Sequence, residues 1–410
     1  MSAIRAVRII GAVAALGLVV AGCTSNNGGG TATTPPAAGA TGTSSGGPAM
    51  QIDATKFTSD FALMSALTGV ASSGKGLVGV LLPDTTTSTR YVQYDAPYLT
   101  KAFQTAGLSS SQFKIDNAGG SASTMQTQAE ADINAGASVL LVDPLDSGSG
   151  AAIEAAAKAA GVAVIDYDRL TKGGPPDRYY VSFDNVKVGE TMGQGLVQCI
   201  TDWNLSKPQV LVMDGDPTDN NATLFAQGYN SVLKPKFDAG TYTKVGEPAG
   251  TWTPSVAATT FEQQLTAHPE TNAAITPNDD NANAVISILK GKGVAAKTFP
   301  TTGQDASLPG LQNILAGYQC GTVYKPIYLE AQAAAALALY LRAGQTPPDL
   351  LVNAKTLDTQ TNQQIKSVYT TPIWVTTANM NETVVKDGAV TKEKLCTGAV
   401  AAECTAAGIS

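Results

Sequence analysis

The chain has 410 residues, a formal charge of −7, 43% hydrophobic and 14% charged residues, and a single histidine. At roughly 150 residues per domain this length holds two folded domains with additional segments, and the hydrophobic share excludes disorder for most of it. With 26 Lys and Arg against 33 Asp and Glu there is no basic footprint for nucleic acid. The lone His268 supplies neither a histidine-ligated metal centre nor a catalytic histidine pair.

Arg5 and Arg8 precede an apolar run over residues 9–20, followed by small residues up to Cys23, the three-part pattern of a secretory signal over residues 1–22. The run is too short for a membrane span, which takes about 20 apolar residues. Ala21 and Gly22 directly before Cys23 resemble the lipobox of bacterial lipoproteins, whose cysteine thiol receives a diacylglycerol. That resemblance implies an exported protein anchored to the outer face of the cell membrane through lipidated Cys23; plain secretion is the alternative. Residues 25–48 are almost entirely Ser, Asn, Gly, Thr, Ala and Pro, a composition that cannot offset chain entropy by burial. Residues 23–75 therefore read as anchor, flexible tether and a weakly periodic lead-in containing Phe57, Phe61, Met64 and Leu67.

After Lys75, short apolar runs alternate with amphipathic segments, the pattern of a parallel α/β sheet. Strands are predicted over 77–82, 113–116, 138–142, 162–167 and 179–183, and helices over 91–106, 124–135 and 150–160. A second set follows, with helices over 186–200, 223–233, 256–266 and 282–289 and strands over 210–213, 242–245, 273–276 and 299–302. A strand over 321–325 leads into an Ala/Leu-rich helix over 327–341 that packs back on the first half. The result is an α/β fold of two doubly wound parallel-sheet lobes joined by a hinge: 76–183 with 326–360, then 184–325, and a C-terminal segment 361–410 over the hinge. A ligand then belongs between the lobes, at the carboxyl ends of the strands.

Apart from Cys23 there are four cysteines, Cys199, Cys320, Cys396 and Cys404, an even number in an oxidising exported setting. They allow three pairings. The short interval from Cys396 to Cys404 favours a local loop and leaves Cys199 for Cys320; buried free thiols are the alternative.

Polar residues gather just after the predicted strands: Arg90 and Tyr91, Asp168 and Arg169, Asp184 and Asn185 in the first half. In the second half come Asp219, Asn220 and Asn221, then Asp279 and Asp280, Asp305, and Lys325. One Asp after a strand reads as a helix N-cap, but seven such positions in register describe a cleft. Acidic acceptors, basic donors and bifunctional amides together suit a polyhydroxylated ligand, whose hydroxyls each donate and accept. Tyr91 and Trp252 offer an aromatic platform for a sugar face, with ordinary packing the equal alternative for Trp252.

The stretches Tyr167-Asp168-Arg169, residues 181–190, residues 214–222, Asn278-Asp279, Gly303-Gln304-Asp305-Ala306 and Thr322-Val323-Tyr324-Lys325-Pro326 resemble the periplasmic sugar-binding proteins of ABC importers. The nearest branch is the D-xylose binders, with the multiple-sugar binders related to it. The similarity runs from about residue 76 to 396. It implies a type I periplasmic-binding fold with three crossovers, a monomer without cofactor or metal, and a membrane permease as partner. Carried over residue by residue, the sugar contacts fall on Arg90, Asp168, Arg169, Asp184, Asn185, Asn220, Asn221, Trp252, Asp279, Asp305 and Lys325, with Tyr91 beside them as the candidate platform. Two departures bear on which sugar is bound: Arg90-Tyr91 stands where xylose binders carry Arg-Trp, and the Thr-rich run from Thr85 to Thr89 replaces a charged loop.

Rival readings are weaker. Asp279 and Asp305 could be imagined as a glycosidase pair, but the surrounding Arg and Lys favour ionised acceptors over a general acid. Asp214, Asp216 and Asp219 lack the Gly and bidentate Glu of a calcium loop. A sugar-responsive repressor would need a DNA-binding headpiece that this sequence lacks. A sensor presenting sugar to a membrane kinase would use the same cleft.

Overall fold

The computed structural model describes residues 52–409; the signal over 1–22, Cys23 and the tether lie outside the described residues. In the first half the apolar runs become strands β1 (Leu77–Leu82), β2 (Phe113–Asn117), β3 (Ala137–Val142), β4 (Ala163–Tyr167) and β5 (Tyr179–Phe183). Five of the six residues of β1 and of β3 are buried, as expected of strands covered by helices on both faces. The second half supplies β6 (Gln209–Val212), β7 (Thr243–Gly246), β8 (Ala273–Ile275) and β9 (Thr322–Tyr324), and the C-terminal part β10 (Ala354–Asp358), β11 (Gln363–Thr370) and β12 (Ile373–Val375).

The first sheet has the order β10-β11-β5-β4-β3-β1-β2, parallel throughout except for the β10–β11 hairpin. The order reverses at β1, which lies between β2 and β3, so a crevice opens at the carboxyl ends of β1 and β3. The second half repeats the motif as β7-β6-β8, all parallel. The predicted strand over 299–302 does not form: the segment keeps one isolated bridge from Thr301 to Ala274. Pro300 has no N–H to give, so only its carbonyl joins the ladder, accepting from the Ala274 amide at 2.9 Å, and further along the Thr302 hydroxyl takes the Thr276 amide at 3.0 Å in place of a backbone bond.

Three crossovers join the halves: β5 into the Asn185–Asp202 helix, β9 into the Ile327–Arg342 helix, and β11 into β12, which pairs with β9. The Ile327–Arg342 helix is apolar on nearly every side and is buried accordingly, running through the first core. The Asn185–Asp202 and Asn220–Asp238 helices pack at glycines, where a Cβ on Gly189 would collide with the Phe225 backbone and one on Gly228 with that of Val186.

Two segment limits need correction. Residues 52–75 are part of the folded body: 3₁₀ turns at Ala54–Lys56 and Ala62–Leu67 and a helix at Thr68–Ser73 bury Phe57, Phe61, Met64 and Leu67 in the first core. Their periodicity looked weak because a 3₁₀ turn repeats every three residues rather than 3.6. Residues 361–410 do not form a single cover over the hinge. β11 is an interior strand of the first sheet, while Val375, Met380, Val384 and Leu395 pack on Leu311 and Ile314 of the second half. Disulfides join Cys199 to Cys320 and Cys396 to Cys404. No helix among the described residues is long and apolar enough to cross a membrane.

Candidate ligand-binding cleft

A narrow polar cavity lies at the carboxyl ends of both sheets. Ser88, Arg90, Tyr91, Asp168 and Arg169 line it from the first half, and Lys325 from a crossover. From the second half come Asp219, Asn221, Phe225 and Trp252 on one side and Asn278, Gln304 and Asp305 on the other.

Asp168 follows β4 directly and sits in the left-handed region at φ 59°, as does Asp305 at φ 86° in the second half. Such a conformation is costly for these residues and persists only where neighbours fix it. Around Asp168 they do. Its amide donates to the Val181 carbonyl at 2.9 Å, and its own carbonyl accepts from Tyr180 Oη, Ser182 Oγ and Asn221 Nδ2 at 2.8–2.9 Å.

Charge in the cleft is tightly paired, as burial requires. Arg90, 2% exposed, grips Asp95 with two nitrogens at 2.7 and 2.9 Å, Glu330 at 2.8 Å and Asp168 at 2.8 Å. Burial alone would raise the Asp168 carboxyl, but Arg90, Lys325 and Arg169 outweigh it and hold it at about 2. Glu330 goes the other way: burial pushes it up to about 8 against the pull of Arg90. Arg169 reaches across the cleft to Asp219 at 3.2 Å, and Lys325 pairs with Asp305 at 3.0 Å. Tyr91 donates to Asp168 at 3.0 Å and lies under the Arg90 and Arg169 guanidinium groups; Trp252 donates to Asp219 at 3.1 Å and meets Phe225 edge to face.

Of the residues singled out from the sequence, Arg90, Tyr91, Asp168, Arg169, Asn221, Trp252, Asp305 and Lys325 border this cavity. Four do not. Asp184 caps the Asn185–Asp202 helix by accepting from the Lys187 amide at 3.0 Å. Asn185 lies beneath the cavity and donates to Asn221 Oδ1 at 2.9 Å, and Asn220 is buried in the first turn of its helix without bordering the cavity. Asp279 turns into its own half, where Gln319 Nε2, Thr322 Oγ1 and the Ser307 amide donate to it at 2.7–2.9 Å. Burial raises its carboxyl to about 8 even so. Held by these three donors behind the cavity lining, it cannot flank a glycosidic bond with Asp305 as a hydrolytic pair must.

Ser88, Phe225, Asn278 and Gln304 also line the cavity, as does Asp219, which the sequence marks only as a strand-end acid. Asn278 and Gln304 each stand one residue before Asp279 and Asp305 in the family-like stretches, and that position is the signal in the sequence that marks them. Gln304 is 3% exposed and its Oε1 has no protein partner among the described residues, so a donor arriving in the cavity would satisfy it. No group of three or more acidic, histidine or cysteine side chains among the described residues is arranged to hold a metal.

Residues 78–346 match the family described as the periplasmic binding protein domain. The D-xylose-binding periplasmic protein of Escherichia coli K12 is 37% identical over 279 residues, 67% of this chain and 80% of that protein. The multiple sugar-binding periplasmic receptor ChvE of Rhizobium radiobacter is 30% identical over 332 residues, 77% of this chain and 91% of that one. Among solved structures, the carbohydrate-transporter solute-binding protein of Chloroflexus aurantiacus in complex with D-glucose has a TM-score of 0.69 at 27% identity, covering 78% of this chain and 98% of that one.

Proposed function

The chain belongs to the periplasmic binding protein domain family, and from that premise we propose that it is a lipid-anchored solute-binding protein. It captures D-xylose or a similar aldose between its halves and delivers it to the permease of an ABC importer. It binds rather than transforms its ligand: the relatives named above are sugar-binding transport proteins and receptors. The observation that carries the reading is the cavity lining, where carboxylates, guanidinium and ammonium groups, and amides from both halves converge beside Tyr91 and Trp252. A neutral polyol meets acceptors at Asp168, Asp305 and Gln304 and donors at Arg169, Asn278 and Lys325. A ligand bonded to both halves favours the closed arrangement by its differential affinity for it.

Calorimetry against xylose, arabinose, ribose, glucose and galactose tests this reading. Heat with xylose or another of the aldoses is expected, and no heat with any of the five overturns it. The anchor has its own test: a radiolabelled fatty acid should mark the wild-type protein in cells and leave a Cys23→Ala variant unmarked.

A further inference from the structure

The Thr-rich loop that sets this chain apart in sequence has a built shape. The Asp84 carboxylate accepts from the amides of Thr86 and Thr87 and from both of their hydroxyls, and Asn117 Nδ2 holds the Asp84 carbonyl at 2.7 Å. So folded, the loop carries Ser88 and Arg90 to the cavity and aims the intervening Thr89 outward to the other half. There the Thr89 amide donates to Asp280 Oδ2 at 3.1 Å, with the Thr89 hydroxyl at 3.4 Å. Asp280 stands in the first turn of the Asp279–Gly291 helix, fixed by the Asn278 cap, and does not border the cavity.

We propose that Asp280 is a positioning residue for ligand binding: from the second half it latches the Thr85–Thr89 loop and so holds Ser88 and Arg90 over the bound ligand. The inference rests on the sugar-binding reading and deepens it. The bond joins opposite halves, so it exists only when they face each other. It therefore adds to the stability of the closed form and not to that of the open one. Ligand enters before the latch forms and leaves only after it breaks, so the latch acts on dissociation and spares association.

Stopped-flow binding of D-xylose, or of whichever sugar in the calorimetric panel binds, to the wild type, Asp280→Ala and Asp280→Asn tests it. Loss of a charge-assisted hydrogen bond predicts dissociation about tenfold faster in Asp280→Ala with an unchanged association rate. Asp280→Asn, which keeps an acceptor oxygen but not its charge, should recover part of the difference. A merely structural role would lower the thermal midpoint and slow association without this split. Equal dissociation rates in the wild type and Asp280→Ala, or no recovery in Asp280→Asn, overturn the proposal. Should no sugar bind the wild type, the functional reading fails by itself. The latch is then judged on the closed conformers that the free protein samples: hydrogen exchange at the Thr89 amide slower in the wild type than in Asp280→Ala supports it, and equal exchange overturns it.

Discussion

Asn278 and Asp279 are neighbours in sequence, yet one borders the cavity and the other is folded into the frame of the second half. The difference comes from the helix that begins between them. Asn278 is the N-cap, extended at φ −150°, and its Oδ1 accepts from the Asn281 amide at 2.9 Å, leaving its Nδ2 free to donate. Asp279 is the first helical residue, and successive helical side chains are rotated by about 100°, so it points elsewhere. Strand-end spacing places both at the right edge without choosing between them, which is why the sequence pointed to Asp279. Two substitutions should separate the roles. Asn278→Asp keeps a good cap but removes the amide donor and adds a charge near Asp305; sugar affinity should fall at least about tenfold with little change in thermal midpoint. Asp279→Ala leaves the Gln319, Thr322 and Ser307 donors unpaired at about 1–3 kcal/mol each, so the thermal midpoint should fall clearly. An unaltered midpoint in Asp279→Ala would contradict the placement.

At the scale of elements, strands and helices were legible wherever the apolar run was uninterrupted and bounded by caps. The run over 77–82 is observed with the same limits, and 327–341 differs by one residue at its end. Legibility failed where the backbone leaves the two common periods, as in the 3₁₀ turns of 52–75 and the Pro300 segment. The cysteines are a different case, because their pairing was constrained by loop length alone. Cys199 and Cys320 are 121 residues apart, Cys396 and Cys404 only 8. Loop-closure entropy gives about 4.7 kcal/mol for a loop of roughly 100 residues and less than about 3 for one under roughly 15. Urea unfolding should therefore show a larger loss for the Cys199→Ala/Cys320→Ala variant than for Cys396→Ala/Cys404→Ala. The reverse ranking would mean that the long loop is already constrained in the unfolded chain.

For the molecule as a whole, several buried carboxyls set how stability depends on pH. Burial raises Glu154 to about 10, and Glu330 and Asp279 each to about 8. Each holds a proton in the folded chain that it releases on unfolding at any pH between its ordinary value near 4 and its folded one. Their contribution is complete below about pH 4 and is lost as pH rises, up to about 8 for Glu330 and Asp279 and about 10 for Glu154, by up to about 1.4 kcal/mol per pH unit for each proton. Asp168, depressed to about 2, acts oppositely, and its contribution is lost only as pH falls from about 4 through 2. The urea midpoint should accordingly be higher at pH 5 than at pH 8, and Glu154→Gln should flatten the slope. A midpoint that climbs towards pH 8 would mean these groups are ionised in the fold. By itself, the sequence determined the α/β class, the two-part organisation and the strand ends where polar groups collect, because each depends on local period and composition. Only the tertiary structure decided which side chains at those ends face the cavity, how Arg90 divides itself among Asp95, Glu330 and Asp168, and that Thr89 meets Asp280. Most of those contacts join residues far apart in the chain, as much as 240 positions, and their geometry is fixed by how distant elements pack within and between the two halves rather than by local period or composition.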